Sequence, residues 1–227
     1  ADARARALQH SGRIGIITPF FTSPSFVQRL RGVASVLTNT PYDLLIYTVD
    51  SMSRLRHYYA TLPLMAHLDG LVVMSLPIDD QAAERLVSKG LRTIIIETSH
   101  PSFSSILVDD YQGGRMAARH LIEKGHRRCA FVHFGNSPEY SIRPDLQRLA
   151  GYRDVLEENG LPLPDEYICY LPASKKDQRQ ALRTLLELPE PPSALFVPVD
   201  YLSIQIIHLA REMGMNVPED LSVVGFD

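Results

Sequence analysis

The chain has 227 residues, 45% of them hydrophobic and 22% charged, a composition that excludes a disordered segment and allows one large or two small packed cores. A formal net charge of −3 supplies no overall positive field, which argues against tight nucleic-acid binding by this segment alone. Cys129 and Cys169 have no metal-ligand spacing and sit at or in apolar runs, so they read as small buried hydrophobes, and no apolar run approaches the roughly 18 residues of a membrane span.

In chain order, strands are expected at 13–18, 43–49, 71–75, 93–97, 106–108, 129–134, 167–171, 194–197 and 222–226. Most are nearly continuous runs rich in Ile and Val, the pattern of parallel strands covered on both faces. Amphipathic stretches at 25–38, 53–67, 79–88, 112–123, 145–158, 176–188 and 201–213 predict helices between them. Asp79 is placed to cap one helix start, and Gly90, Gly125, Gly160 and Gly214 follow helix ends, where a left-handed residue is easiest for glycine.

This alternation implies an α/β fold with doubly wound parallel sheets. Nine strands exceed what one such sheet needs, and the pattern restarts near Cys129. Two similar lobes are therefore expected, at 13–109 and 110–227, after a short linker at 1–12. Because open α/β sheets bind ligands beyond the carboxyl ends of their strands, two such lobes facing each other imply a ligand cleft between them.

Enzyme signatures are mostly missing: no Gly-rich dinucleotide or phosphate loop, no nucleophile elbow and no zinc-protease motif occurs. Gly113-Gly114 points to close backbone packing more than to phosphate binding, and the pairs Asp79-Asp80 and Asp109-Asp110 read as helix caps or solvent-facing carboxylates. No catalytic residue, metal ligand set or cofactor is assigned; His120, His126 and His133 lack metal-ligating partners at the required spacing.

The strand ends carry more information. Phe20, Phe21, Ser25 and Phe26 lie in or near the loop after the first strand, where aromatic rings can stack on a flat ligand, although Phe26 equally suits a role in seating the next helix. Arg148 is either a ligand-holding arginine or an ordinary surface one. Asp227, just past an apolar strand, is either an acceptor for ligand hydroxyls or amines or a simple turn residue. Ser75, Glu97 and Asp200 are further candidates by strand-end position.

Several segments in order resemble the lac/gal repressor family: RIGII at 13–17, SPSF at 23–26, DGLVV at 69–73, VDDYQGGRMAARHLIEKGHRR at 108–128, RLAGY at 148–152 and VPEDLSVVGFD at 217–227. The resemblance implies the periplasmic-binding-protein-like type I pair of lobes. It also implies a small-molecule effector, a sugar or related metabolite, whose binding switches operator affinity in a cytoplasmic homodimer. Family effector positions map onto Phe26, Arg148, Phe196 and Asp227. The segment ARARAL at 3–8 resembles the family's hinge helix, with Leu8 as a minor-groove wedge and Arg4 and Arg6 at phosphates. Operator DNA would be read by a helix-turn-helix head preceding this segment, and relatives continue past the position of Asp227, so the C-terminal lobe is expected to be incomplete. Val199-Asp200 departs from the Asn-Asp of many sugar-binding members, and Ile142 stands where purine-binding members carry an arginine, so neither a particular sugar nor a purine is supported.

Two other readings share the fold. A solute-binding protein of a transporter would start with a signal peptide, and an α/β enzyme would use Glu97, Asp109 or Asp200 in turnover. Under the repressor reading, Arg148→Ala is expected to abolish effector response and leave folding intact.

Overall fold

A computed structural model describes residues 12–65, 68–135 and 137–227. The expected hinge residues Arg4, Arg6 and Leu8 lie outside the described residues, as does most of the 1–12 linker. Among the described residues the chain forms two compact units. One runs up to Val108 and takes in Pro138–Ile142; the other holds Asp109–Ser137 and Arg143–Asp227. The sequence pattern predicts uninterrupted lobes, whereas the short segment Pro138–Ile142 joins the first unit, where Tyr140 packs against its apolar core.

The first unit is a five-stranded parallel sheet of order β2-β1-β3-β4-β5. Its strands are β1 (Arg13–Thr18), β2 (Asp43–Thr48), β3 (Gly70–Met74), β4 (Thr93–Ile96) and β5 (Ser104–Ile106). Its helices are α1 (Pro24–Leu37), α2 (Met52–Thr61) and α3 (Asp80–Ser88). β5 falls two residues earlier than its apolar run predicts, because the ladder pairs Ile94–Ile96 with Ser104–Ile106 and leaves Leu107 and Val108 beyond the sheet. α2 stops at Thr61, short of the expected 67, because Pro63 turns the chain into a 3-10 turn at Leu62–Leu64. α3 begins where Asp79 accepts the amide of Ala82.

Among the described residues, the larger buried cluster of this sheet lies on one face. Ile17, Leu71, Val73 and Ile95 meet Leu55 and Tyr59 of α2 and Ala82 and Leu86 of α3. On the opposite face Ile16 and Met74 are fully buried, while Ile46, Ile94 and Ile106 remain 44%, 46% and 61% exposed. Coverage of both faces, expected from the apolar runs, is therefore uneven in this sheet: α2 and α3 share the face with the larger buried cluster, while the opposite face buries Ile16 and Met74 at its centre and leaves its edges open.

The second unit is a four-stranded parallel sheet of order β7-β6-β8-β9. It uses β6 (Cys129–Phe134), β7 (Ile168–Leu171), β8 (Ala194–Val197) and β9 (Ser222–Gly225), with α4 (Asp110–Glu123), α5 (Pro144–Glu158), α6 (Lys175–Leu186) and α7 (Asp200–Glu212). Here both faces are covered. Alternate residues Cys129, Phe131, Ala194 and Phe196 pack on α4 and α5, while Ala130, Val132, Leu195 and Val197 pack on α6 and α7. α4 and α5 approach through glycines: a Cβ on Gly114 would lie 2.0 Å from the carbonyl oxygen of Arg148, and one on Gly151 would lie 2.0 Å from that of Tyr111. Gly113-Gly114 is a packing device, as one of its two sequence readings has it. Asp109 caps α4 by accepting the amide of Gln112, so the carboxylate pair before this helix contains a structural cap.

Both sheets put the topological switch between their first and third strands, β1 and β3 in one unit and β6 and β8 in the other. That point, at the carboxyl ends of the strands, is where doubly wound sheets bind ligands.

Candidate functional site

At the switch point of the first unit the chain leaves its strands through three non-glycine residues with left-handed backbones. Phe20, after β1, has φ 43°; Ser75, after β3, has φ 56°; Glu97, after β4, has φ 65°. The amides of Ser75 and Glu97 still continue the ladders, donating to the carbonyls of Ile96 and Ile106 at 2.9 and 2.8 Å. Such conformations cost about 1–3 kcal/mol each and persist where the surroundings over-determine them, often at ligand sites.

The surroundings here are an ion-pair cluster. Arg29, on the second turn of α1, reaches both oxygens of Glu97, one of them through Nη1 to Oε2 at 3.1 Å. Ser75 donates its hydroxyl to the same Oε2, and Arg29 Nη1 lies 3.3 Å from the Ser75 oxygen. Glu97 keeps only 11% of its side chain exposed and Ser75 is buried, so each needs the partners it has. The Arg29 guanidinium also stands 5.1 Å from the Phe26 ring centre, in cation–π range. Phe26 meets Phe20 edge to face at 6.0 Å, and Phe20 lies 6.2 Å from Tyr140. Phe20 and Phe21 present about two fifths of their surface to solvent. Ser25 lies in the first turn of α1, partly exposed. Four of the five first-lobe candidates thus come together: Phe20, Phe26, Ser75 and Glu97. Sequence reasoning missed Arg29 and Tyr140. Arg29 reads as one more charge on an amphipathic helix, and its partner lies 68 residues away.

In the second unit Arg148 ties strand ends to helix starts. Its Nε donates to Asp110 at 2.8 Å, its Nη1 donates to the carbonyl of Pro198 just past β8 at 2.7 Å, and its guanidinium sits 4.0 Å over the ring of Phe226, just past β9. Arg148 is only 8% exposed, so it is a strut of the unit and not a surface residue. Loss of its side chain therefore disturbs packing, which corrects the expectation that Arg148→Ala leaves folding intact. Asp200 opens α7, exposed, with its Oδ1 packed against Gly225, where an added Cβ would lie 2.4 Å away. Asp227 is exposed, and its charge, after burial, helps raise the Tyr201 pKa above its ordinary value.

Phe196 does not belong to a site surface. It is fully buried, edge to face with Phe131 at 5.3 Å and beside Tyr152 at 5.3 Å. Its position on β8 directs the ring into the core under α4 and α5, one residue short of the strand's end. The strand-end position instead falls to the Pro198 carbonyl, already held by Arg148.

A second polar group near the strand ends of this unit was also missed. Arg143, just before the first turn of α5, makes a two-pronged pair with Asp145 at 3.0 Å on each arm and donates to the carbonyl of Phe134. His133 Nε2 lies 3.2 Å from Arg143 Nη2 and 3.4 Å from Asp145 Oδ2, and the His133 ring lies 5.0 Å from Tyr170. Its Nδ1 is buried with no hydrogen-bond partner. Burial lowers the His133 pKa, with Asp145 opposing the shift and Arg143 adding to it. Among the described residues no group of three or more His, Cys, Asp or Glu side chains is arranged to hold a metal ion, and no helix is long and apolar enough to cross a membrane.

Comparison with known proteins agrees with this architecture. Residues 118–227 match the family described as periplasmic binding protein-like domain. The chain is 29% identical over 230 residues to catabolite control protein A of Priestia megaterium, an alignment that covers 100% of this chain and 68% of the relative. It is 26% identical over 231 residues to the HTH-type transcriptional repressor PurR of Yersinia pestis, covering 100% of this chain and 67% of that protein. Among solved structures, the complex of the transcriptional regulator CelR with cellobiose superposes with a TM-score of 0.77 at 25% identity, covering 100% of this chain and 73% of the other. Residues 118–227 thus match a periplasmic binding protein-like family, and the chain is similar along its whole length to transcriptional regulators such as PurR and CelR.

Proposed function

We propose that this chain is the effector-binding and dimerisation domain of a cytoplasmic transcription repressor, one that binds a sugar or related metabolite and catalyses no reaction. The observation that carries the reading is the cluster at the first switch point, Phe20, Phe26, Ser75, Glu97 and Arg29, on a chain aligned from end to end with the transcriptional repressor PurR. Aromatic faces beside convergent hydrogen-bonding groups suit a ring bearing hydroxyls, and the related CelR holds cellobiose. In the second unit Asp200 and Asp227 are exposed acceptors near the ends of β8 and β9. The Arg148 strut fixes those ends in place, so its contribution to binding is through the geometry of Pro198 and Phe226 as much as through its own charge.

A bound effector changes operator affinity only if it binds the two states of the dimer unequally. Operator DNA would be contacted through a helix-turn-helix head joined to this domain, and a two-fold dimer would read a palindromic site. A thermal-shift screen of mono- and disaccharides against the purified protein tests the effector role. Concentration-dependent stabilisation by at least one compound, lost in Glu97→Ala, is the expected result. Stabilisation by none, or one indifferent to Glu97, defeats the reading, and turnover of a bound compound would favour an enzyme on the same fold.

A further inference from the structure

Arg29 is the one cation hydrogen-bonded to the Glu97 carboxylate among the described residues. It engages both carboxylate oxygens while Ser75 occupies a further acceptor position on one of them. The pair is formally neutral and lies at the exit of β3 and β4, beside the Phe26 ring, which meets Phe20 and through it Tyr140. A half-buried guanidinium, with 30% of its side chain exposed beside an 11%-exposed carboxylate, leaves donors of Arg29 within reach of solvent while Glu97 is largely committed.

We propose that Arg29 is the specificity-determining residue of this site: by cancelling Glu97 it selects an uncharged polyhydroxylated ring over its amino and acid analogues. The inference rests on the effector role proposed above and deepens it. An ammonium on the ligand meets the Arg29 positive charge. A carboxylate on the ligand meets Glu97, and to gain Arg29 it must break a two-pronged pair already made. A hydroxyl faces neither penalty, since it accepts from the outer donors of Arg29 and donates to a remaining lone pair of Glu97. Discrimination here comes from what the site repels, with the aromatic rings contributing affinity that is indifferent to charge.

The mirror-image substitutions make this testable with three isosteric probes, D-glucose, D-glucosamine and D-glucuronate, together with the neutral disaccharide cellobiose. Binding to the purified protein is measured by calorimetry and thermal shift at neutral pH, with circular dichroism as the check on folding. The wild-type protein should prefer the neutral sugars. Arg29→Leu exposes an uncancelled carboxylate and should move the glucosamine-to-glucose affinity ratio upward by about tenfold or more. Glu97→Gln leaves an uncancelled guanidinium and should move the glucuronate-to-glucose ratio upward by a similar factor. If Arg29→Leu does not fold, the Glu97→Gln arm carries the test alone, because the amide keeps the size and planarity of the carboxylate and one of its two acceptor oxygens. Binding of a neutral probe with the same charge preference in all three proteins overturns the role of Arg29 and leaves the effector role standing. Binding of no probe by any of the three removes the saccharide class and this proposal with it.

Discussion

Burial separates residues that look alike as strand-end candidates. Phe196 is a core ring, so Phe196→Ala should cost about 3–5 kcal/mol, read as a lower urea midpoint. Phe20 is two fifths exposed, so Phe20→Ala should cost well under about 1.5 kcal/mol while weakening ligand binding. Equal stability losses at the two positions would contradict these placements. Arg148→Ala leaves Asp110 and the Pro198 carbonyl without a partner they now have, and should cost about 2–4 kcal/mol in the same measurement. The histidines set a pH dependence. Burial depresses the folded-state pKa of both His133 and His126, so the folded protein binds fewer protons than the unfolded chain just below the ordinary histidine value. Their contribution to stability is full above about pH 6.5 and falls as the pH drops through and below that value. Urea midpoints at pH 7.5 and 5.5 should therefore differ, with the difference reduced in His133→Gln; an unchanged difference would remove His133 from the account.

At the scale of elements, the α4–α5 contact depends on glycine in two places. Gly114→Ala puts a methyl group against the backbone of Arg148, where no flexible side chain can yield, so the helices must separate. The expected cost is about 2–3 kcal/mol or more, and because Arg148 sits on the displaced helix, ligand affinity should fall with it. A Gly114→Ala protein with wild-type stability would mean that the two helices do not approach so closely. The signals that delimit these elements are local ones. Asp79 and Asp109 do cap α3 and α4, and Gly90, Gly125, Gly160 and Gly214 do take positive φ after their helices. Boundaries drifted where a neighbour decided them, as at β5, whose extent follows its pairing with β4 and not its own apolar run.

For the whole molecule, two parallel sheets share the strand order 2-1-3-4, extended by one edge strand in the first unit, and each therefore has one switch point. The sheets differ in coverage. Ile94 and Ile106 lie on the less covered face of the first sheet, so replacing both by Thr should cost less than about 1.5 kcal/mol in total. The same change at Ile17 and Ile95, on the buried face, should be several times more costly. Comparable losses on the two faces would show that the exposed one is covered in the protein in solution.

Chain order alone determined the alternation of strands and helices, the parallel doubly wound class and the helix ends, because these depend on apolar periodicity, capping side chains and glycine within a few residues. It also placed Phe20, Ser75 and Glu97 at strand exits, since position after a strand is legible in one dimension. The direction in which each side chain points, and the partner it finds, was settled only in three dimensions. Phe196 turned into the core because its place in the alternation of β8 faces α4 and α5, and Arg29 met Glu97 because winding the chain brings the second turn of α1 over the end of β4. Contacts between residues this far apart in sequence arise from the packing of whole elements, and no local pattern of residues encodes them.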